Sequence, residues 1–172
     1  MNTTYKQDIE DKWTHNQICA MYSYNPDTGN IRHKRIMRGI QHGSIAGSMV
    51  NGYINIKINN RLYRAHRIAW MIHHGEWPDG YIDHINMDKA DNKISNLRLC
   101  NSSQNHANTQ ISKQNTTGHK NISRMTGGKT GWRIRITHQG KRYQWSRVRL
   151  DDAIELAKTK RVELFGSFAH HG

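Results

Sequence analysis

One stretch of the chain, YIDHINMDKADNKISNLRLCNSSQNHAN at residues 81–108, constrains the fold more than any other. It begins with a short apolar run that ends in Asp83 and His84, crosses a polar loop, and returns as a second apolar run before another polar cluster. This pattern predicts a strand, a wide loop, a strand and a helix. Two strands joined in this way bring Asp83 and His84 close to the start of the helix, so Asn105, about one turn in, is expected to face them. A carboxylate, an imidazole and an amide would then converge.

The order and spacing of these residues resemble the HNH nucleases, the ββα-metal group, and in particular the phage-type HNH homing endonucleases. Connected sequence carries the resemblance, namely RAHRIAW, GEWPDGYIDHIN and SNLRLCNSSQN, which lie between residues 64 and 105. The three signature positions of the family fall on His84, Asn96 and Asn105, the last being asparagine where many members have histidine. The chain therefore resembles an H-N-N variant of this family.

The resemblance implies hydrolysis of phosphodiester bonds in double-stranded DNA to 5′-phosphate and 3′-hydroxyl ends, by nicking or double-strand cleavage. His84 and Asn96 are the implied catalytic residues, with His84 as general base and Asn96 bracing the wide loop so that His84 stays oriented. Asp83 and Asn105 would hold one divalent ion, and oxygen ligands with remaining water positions suit Mg²⁺ or Mn²⁺. Because the family also has histidine in the preceding helix, His66 is a further site candidate, with a packed core histidine as the alternative.

The asparagine at the third signature position leaves a second interpretation open. In that interpretation the chain is a sequence-specific DNA-binding protein whose nuclease fold is an inactive scaffold. In that case Asn105 would have only the structural role of a helix-capping residue and would bind no metal. Since an amide oxygen at Asn105 remains a chemically adequate metal ligand, cleavage is the expected activity.

The net charge of +13 points to a polyanionic partner, because basic groups that neutralise phosphates release condensed counterions. DNA is the expected partner, whereas membrane binding would need a basic amphipathic helix or a long apolar run, and neither stands out. The N-terminal segment lacks the basic start and apolar core of a secretory signal. A cytoplasmic location is therefore expected. The resemblance implies a phage-encoded protein in a bacterial host cell. A monomer is the expected state, and a dimer is left open.

Cysteine usage argues against a structural metal site. Cys19 and Cys100 are the two cysteines of the chain, and they have no paired spacing. This argues against a disulfide framework and against thiolate ligation of zinc, so no structural zinc is expected.

The residues before the catalytic stretch predict a helix, two hairpins and a second helix. Apolar residues near a helical repeat predict a short helix within residues 4–21, and an Asn-Pro-Asp-Thr-Gly turn predicts a hairpin at 22–34. A Gly/Ser loop follows. Alternation at residues 53–66, with a turn at two asparagines, predicts a second hairpin. The apolar pattern of residues 65–74 predicts a helix that Gly75 ends.

A polar segment at residues 112–118 has no apolar side chain and is expected to be a linker to a second unit. That unit is predicted to contain a short strand at 120–124 and two alternating runs around Gln139 and Gly140. An amphipathic helix follows, for which Asp151 is the expected N-cap.

Three strands followed by a helix, with an ending in LFGSFA, resemble the Apetala-type DNA-binding domain that is also found fused to phage HNH nucleases. The resemblance covers roughly residues 117–169, although the family's leading Tyr-Arg-Gly is absent. In that family the exposed sheet face enters the major groove, and strand periodicity places hydrogen-bonding side chains on that face. The expected DNA contacts are Arg124, Lys129, Arg133, Arg135, Arg142 and Gln144.

The expected fold class is α+β, in two small domains. Residues 1–111 would form the ββα-metal (HNH) nuclease domain, with a catalytic core at about 62–111 preceded by β-hairpins and a short helix. Residues 119–172 would form a three-stranded sheet plus helix that binds DNA.

Overall fold

The computed structural model describes residues 13–36, 39–112 and 114–171, and within these ranges it has a mixed α/β arrangement of small sheets and four helices. The chain packs as two compact units that divide between Leu99 and Cys100. In the described ranges no helix is both long enough and apolar enough to cross a membrane.

The first unit opens with helix α1 (His15–Met21) and a hairpin of β1 (Tyr22–Tyr24) and β2 (Ile31–His33). α1 begins where it does because Thr14 and Gln17 form a reciprocal capping box, each side chain accepting a backbone N–H of the other residue. The hairpin predicted at 22–34 is confirmed. The helix predicted within 4–21 is confirmed for its last two turns, and residues 4–12 lie outside the described part of the chain.

A three-stranded sheet follows, in the order β3 (Ser48–Val50), β4 (Tyr53–Ile58) and β5 (Arg61–Arg64). The predicted hairpin of β4 and β5 is confirmed, and its turn residues Asn59 and Asn60 have φ values of 46° and 63°, as a type I′ turn requires. The prediction of a loop before residue 53 was wrong over β3. All three residues of β3 are exposed, so no buried alternation marked this strand in the sequence.

Helix α2 (Ala65–His74) is confirmed at its predicted position, and Gly75 ends it with a left-handed φ of 86°. At such a φ a glycine avoids the steric cost that any Cβ would bring. The helix buries Ile68, which is fully inaccessible, against the isoleucines of β4 and the N-terminal hairpin. Burial of an isoleucine side chain contributes roughly 1.5–3 kcal/mol to the free energy of folding. This core holds the elements around residues 81–108 in place.

Residues 81–108 have the predicted order of strand, loop, strand and helix. β6 (Tyr81–His84) pairs with β7 (Leu97–Cys100), and a 3-10 turn (Ile94–Asn96) leads from the wide loop into β7. Helix α3 (Ser102–Ala107) follows, and Asn101 caps it in a capping box.

The second unit contains an antiparallel sheet in the order β10 (Lys141–Arg147), β9 (Trp132–His138) and β8 (Ile122–Arg124), followed by helix α4 (Leu150–Phe165). The alternate burial predicted for the strands is confirmed, since isoleucines of β8 and β9 pack with alanines of α4 in one core. Ala107, at the end of α3, belongs to the same core. Between α3 and β8 the described residues form no helix or strand.

The prediction that Asp151 is the N-cap of α4 was wrong. Arg149 has the extended backbone of an N-cap residue, with φ −91° and ψ 146°, and the helix begins at Leu150. Asp151 and Asp152 lie in the first turn instead. Carboxylates there interact favourably with the positive end of the helix dipole, which explains why acidic residues mark this helix start without capping it.

Candidate active site

β6 brings two ionisable side chains into the interior of the first unit. Ile82, Asp83 and His84 are consecutive and all buried, and Asp83 and His84 are each 5% exposed. Burying a charged group is costly unless it is paired. The partners of these two side chains therefore define the site.

Asp83 is paired with Arg98, which lies on the neighbouring strand β7. The Asp83 Oδ2 atom accepts from Nε of Arg98 at 2.8 Å, and Nη2 of the same guanidinium lies 2.8 Å from it. The pair fixes the orientation of the carboxylate. Removing one partner of such a nearly buried pair costs about 3–5 kcal/mol, because the other charge stays behind.

His84 is held by Asn92, a residue of the wide loop that is 4% exposed. Nε2 of His84 lies 3.3 Å from Oδ1 of Asn92. Because an amide oxygen can only accept, we assign the proton of the neutral imidazole to Nε2, so Nδ1 carries the lone pair. Burial lowers the pKa of His84, and the hydrogen bond to Asn92 and the negative charge of Asp83 oppose that shift in part. The imidazole is therefore neutral at neutral pH.

Asn96 ties the two ends of the wide loop together. Its Oδ1 accepts from the Asn86 backbone N–H at 3.0 Å, and its Nδ2 donates to the Asp91 carbonyl at 2.8 Å. Its own carbonyl accepts from Ile85 N at 2.9 Å. Such contacts keep the loop, and with it Asn92, in one place beside His84.

Aromatic rings complete the surroundings of His84. The rings of His66, on α2, and His84 meet edge-on with centroids 5.0 Å apart. The Tyr53 ring lies 5.6 Å from His66 and 6.1 Å from His84. The structure therefore places His66 next to His84 among packed rings.

The N-terminal hairpin supports the wide loop from outside. The Tyr24 hydroxyl donates to the Asn92 carbonyl at 2.7 Å. Gly29, with φ +73°, lies so close to the loop that a Cβ there would come within 2.6 Å of Lys93 N and 2.7 Å of the Asn92 carbonyl carbon. The residue that holds His84 is thus packed against a segment far away in the sequence.

Asn105 lies on α3, within the second unit, and is half-buried. In the described ranges no group of three or more His, Cys, Asp or Glu side chains could hold a metal ion. The donors expected from the sequence are the carboxylate of Asp83, in the first unit, and the amide oxygen of Asn105, in the second unit. Oxygen donors in such small number fit Mg²⁺, which usually keeps several of its water ligands and takes one or two from protein carboxylates.

The predicted DNA-binding side chains lie on or beside the sheet of the second unit. Gln144 stands opposite Arg135 across β9 and β10, and Arg142 stands opposite Thr137. Arg133 is half-buried, whereas the other five predicted contacts are exposed, namely Arg124, Lys129, Arg135, Arg142 and Gln144. The register places Arg133, Arg135, Arg142 and Gln144 on one sheet face. Arg124 stands opposite Trp132 on the other face, and Lys129 lies between β8 and β9.

The chain is similar to known proteins over the region that contains these residues. The family model described as HNH endonuclease matches residues 63–107. Protein 3.8 of Escherichia phage T7 is 35% identical over 108 residues, which cover 62% of this chain and 88% of the phage protein. The chain therefore contains an HNH endonuclease domain at residues 63–107 and belongs to the same family as this phage protein. The residues matched to the HNH endonuclease model include Asp83, His84, Asn96 and Asn105, and no solved structure matches the chain. An HNH nuclease domain implies DNA as substrate, and HNH nucleases generally use a divalent metal ion.

Sequence reasoning did not identify three residues that contact the HNH site. Asn92 was indistinguishable from the other polar residues of the loop, and Arg98 looked like the outward residue of a strand. Tyr53 lies about thirty residues before His84 and opened a hairpin with no recognisable motif. The one available signal was Arg98, a charged residue within an apolar run that had to pair with another charge if it was buried.

Proposed function

We propose that this HNH endonuclease hydrolyses phosphodiester bonds in double-stranded DNA and leaves 5′-phosphate and 3′-hydroxyl ends. The observation that carries the proposal is the environment of His84, an imidazole that burial keeps neutral and that Asn92 holds by one ring nitrogen. A neutral imidazole that stays neutral near pH 7 suits a general base.

In the proposed reaction, Nδ1 of His84 accepts a proton from the attacking water, while the bond to Asn92 keeps the ring in the required tautomer. Asn96 acts by position, since its bonds across the wide loop hold Asn92 in place. His66 acts through its ring contact with His84 and takes no proton itself.

Oxygen atoms of Asp83 and Asn105 are the proposed ligands of one divalent ion, Mg²⁺ or Mn²⁺. When bound, such an ion supplies positive charge against the charge that develops on the phosphate and the departing 3′ oxygen. Arg98 orients the Asp83 carboxylate through Oδ2. The chain's own contribution is therefore a fixed carboxylate and a fixed base on adjacent residues.

We also propose that the second unit binds DNA as an Apetala-type domain, with Arg135, Arg142 and Gln144 among the groups that contact the major groove. A three-stranded antiparallel sheet with a helix on its apolar side and exposed donors on the other supports this. Arginine and glutamine side chains have the hydrogen-bonding geometry to read guanine and adenine. A nuclease joined to a DNA-reading unit suits a homing-type enzyme, which cuts at a chosen sequence.

The test is cleavage of supercoiled plasmid in Mg²⁺ or Mn²⁺, compared with EDTA. The parent chain should nick or linearise the plasmid only with the ion, and His84→Ala should abolish cleavage with little loss of DNA affinity, because a neutral base makes no phosphate contact. His73→Ala is the matched control, since it removes an exposed imidazole from α2 and should cleave normally.

The competing function is sequence-specific DNA binding by an inactive nuclease scaffold, which the asparagine at position 105 favours. It predicts tight binding to a selected duplex and no cleavage under any divalent ion. Equal cleavage by His84→Ala and the parent chain would instead show that the base has been misassigned.

A further inference from the structure

Two basic side chains lie over a single aromatic ring beside the catalytic histidine. The Cζ atom of Arg64 is 4.1 Å from the centroid of the Tyr53 ring, and Nζ of Lys89 is 5.0 Å from it. The same ring is 6.1 Å from the ring of His84 and 5.6 Å from that of His66. Cations at such distances are attracted to the ring face.

Three separate segments build this cluster of Tyr53, Arg64 and Lys89, which we call the Tyr53 cation cluster. Arg64 ends β5 opposite Asn55, whose Oδ1 accepts from Nη1 of Arg64 at 3.1 Å and whose Nδ2 donates to the Tyr53 carbonyl at 3.0 Å. Lys89 comes from the wide loop and passes beside Gly52, where an added Cβ would be 3.7 Å from its Cδ. The guanidinium is thus oriented from two sides.

The cluster carries positive charge that no carboxylate in the described part of the chain neutralises by an ion pair. Within the described ranges, the carboxylates that form ion pairs do so with other residues, and neither Arg64 nor Lys89 has an acidic partner. Lys89 is exposed, Arg64 and Tyr53 are half-buried, and His84 lies in the interior beneath them. Both cations therefore lie over a ring that is 6.1 Å from the ring of His84.

We propose that Arg64 and Lys89, held over the Tyr53 ring, bind backbone phosphates of the DNA strand that is cut and so position the scissile bond at His84. The inference rests on the proposed nuclease function and adds positioning residues to it. Holding the two side chains on a ring before DNA arrives reduces the rotamer freedom that binding must remove. Arginine suits this task because its planar fork matches phosphate oxygens.

The decisive experiment measures DNA affinity against salt concentration for the full chain in EDTA, where no cleavage occurs. Log affinity falls with log salt, and each lost phosphate contact should make this negative slope shallower by about 0.9. Arg64→Gln and Lys89→Gln should each show this change, and the double variant should show about twice as much. Lys57→Gln is the matched control, because Lys57 is an exposed cation on β4 that lies over no aromatic ring of the described residues. An equal slope loss in Lys57→Gln would reduce the effect to overall charge and overturn the proposal.

The ring is tested separately from the charges. Tyr53→Phe keeps the ring and should bind DNA as the parent does. Tyr53→Leu keeps both cations, but the salt dependence of its DNA affinity should still be shallower because the positions of the cations are no longer fixed. A parent-like slope for Tyr53→Leu, in protein with a parent-like circular dichroism spectrum, would remove the ring from the proposal. If Tyr53→Leu fails to fold, Arg64→Gln and Lys89→Gln decide the matter alone.

Cleavage kinetics distinguish this proposal from the proposed function itself. In Mg²⁺, Arg64→Gln should lower kcat/KM for DNA about tenfold, as expected for one charge-assisted contact, and kcat should fall as well as KM rise because the scissile bond is no longer positioned at His84. A parent chain that never cuts would refute the nuclease function, yet the salt slopes in EDTA would still test the cluster. An active parent with unchanged slopes and kcat/KM in both glutamine variants would refute the cluster alone.

Discussion

Replacing Gly29 by alanine should strongly destabilise the first unit, and the structure supplies the magnitude. At φ +73° an L-residue pays roughly 1–2 kcal/mol in backbone strain. The new Cβ would also lie 2.6 Å from Lys93 N and 2.7 Å from the Asn92 carbonyl carbon, which are backbone atoms that cannot turn away. Overpacking of this kind costs about 1–3 kcal/mol, so the total expected loss is about 2–5 kcal/mol.

Gly43→Ala separates strain from contact. Gly43 has a similar φ of +79°, but nothing lies within 4 Å of its added Cβ, so only the strain of roughly 1–2 kcal/mol is expected. Native-state hydrogen exchange at the amides of β4 reports the free energy of opening of the first unit by itself. Equal destabilisation by Gly29→Ala and Gly43→Ala would refute the close packing of the hairpin on the loop. Cleavage should fall further in Gly29→Ala, because the displaced segment carries Asn92.

Two further outcomes follow from the same region. Tyr24→Phe should cost about 0.5–1.5 kcal/mol in exchange free energy, since it deletes one hydrogen bond to the Asn92 carbonyl; no loss in the amides of β4 and the wide loop would contradict this. Because burial lowers the pKa of His84 from 6.5, the acidic limb of kcat/KM should lie below pH 6.5, and a limb at or above that pH would contradict the assignment. Between the folded pKa and 6.5 the unfolded chain binds more protons, so stability should decrease as pH falls through this window, and His84→Ala should lack that decrease.

The elements with strong local signals were predictable from the sequence. The hairpin of β4 and β5, helix α2 with its stop at Gly75, and the sheet and helix of the second unit all follow from periodicity and turn residues. Asp83 and His84 were found through a motif, and their adjacency on β6 follows from their adjacency in the chain. Residue patterns within one segment are therefore enough to predict the structure of that segment.

The partners of the site were not predictable, because they depend on packing between distant segments. Nothing in the sequence pairs Tyr53 with His84, or Tyr24 with the carbonyl of Asn92. The predicted linker at 112–118 shows a similar limit. Its polar composition indicated a lack of regular structure, but Lys120 beyond it donates to the carbonyl of Ala107 before it, so composition alone says little about where packing divides.

The support that the hairpin gives to the wide loop also bears on the order in which the first unit folds during synthesis. The bond between Tyr24 and Asn92 joins residues 68 positions apart, and Ile94 N donates to the Pro26 carbonyl across the same gap. Contacts of such long sequence separation form late, because the chain must first close a large loop. In a ribosome-bound chain, the hairpin therefore lacks its contacts with the wide loop until more than half of the protein has emerged.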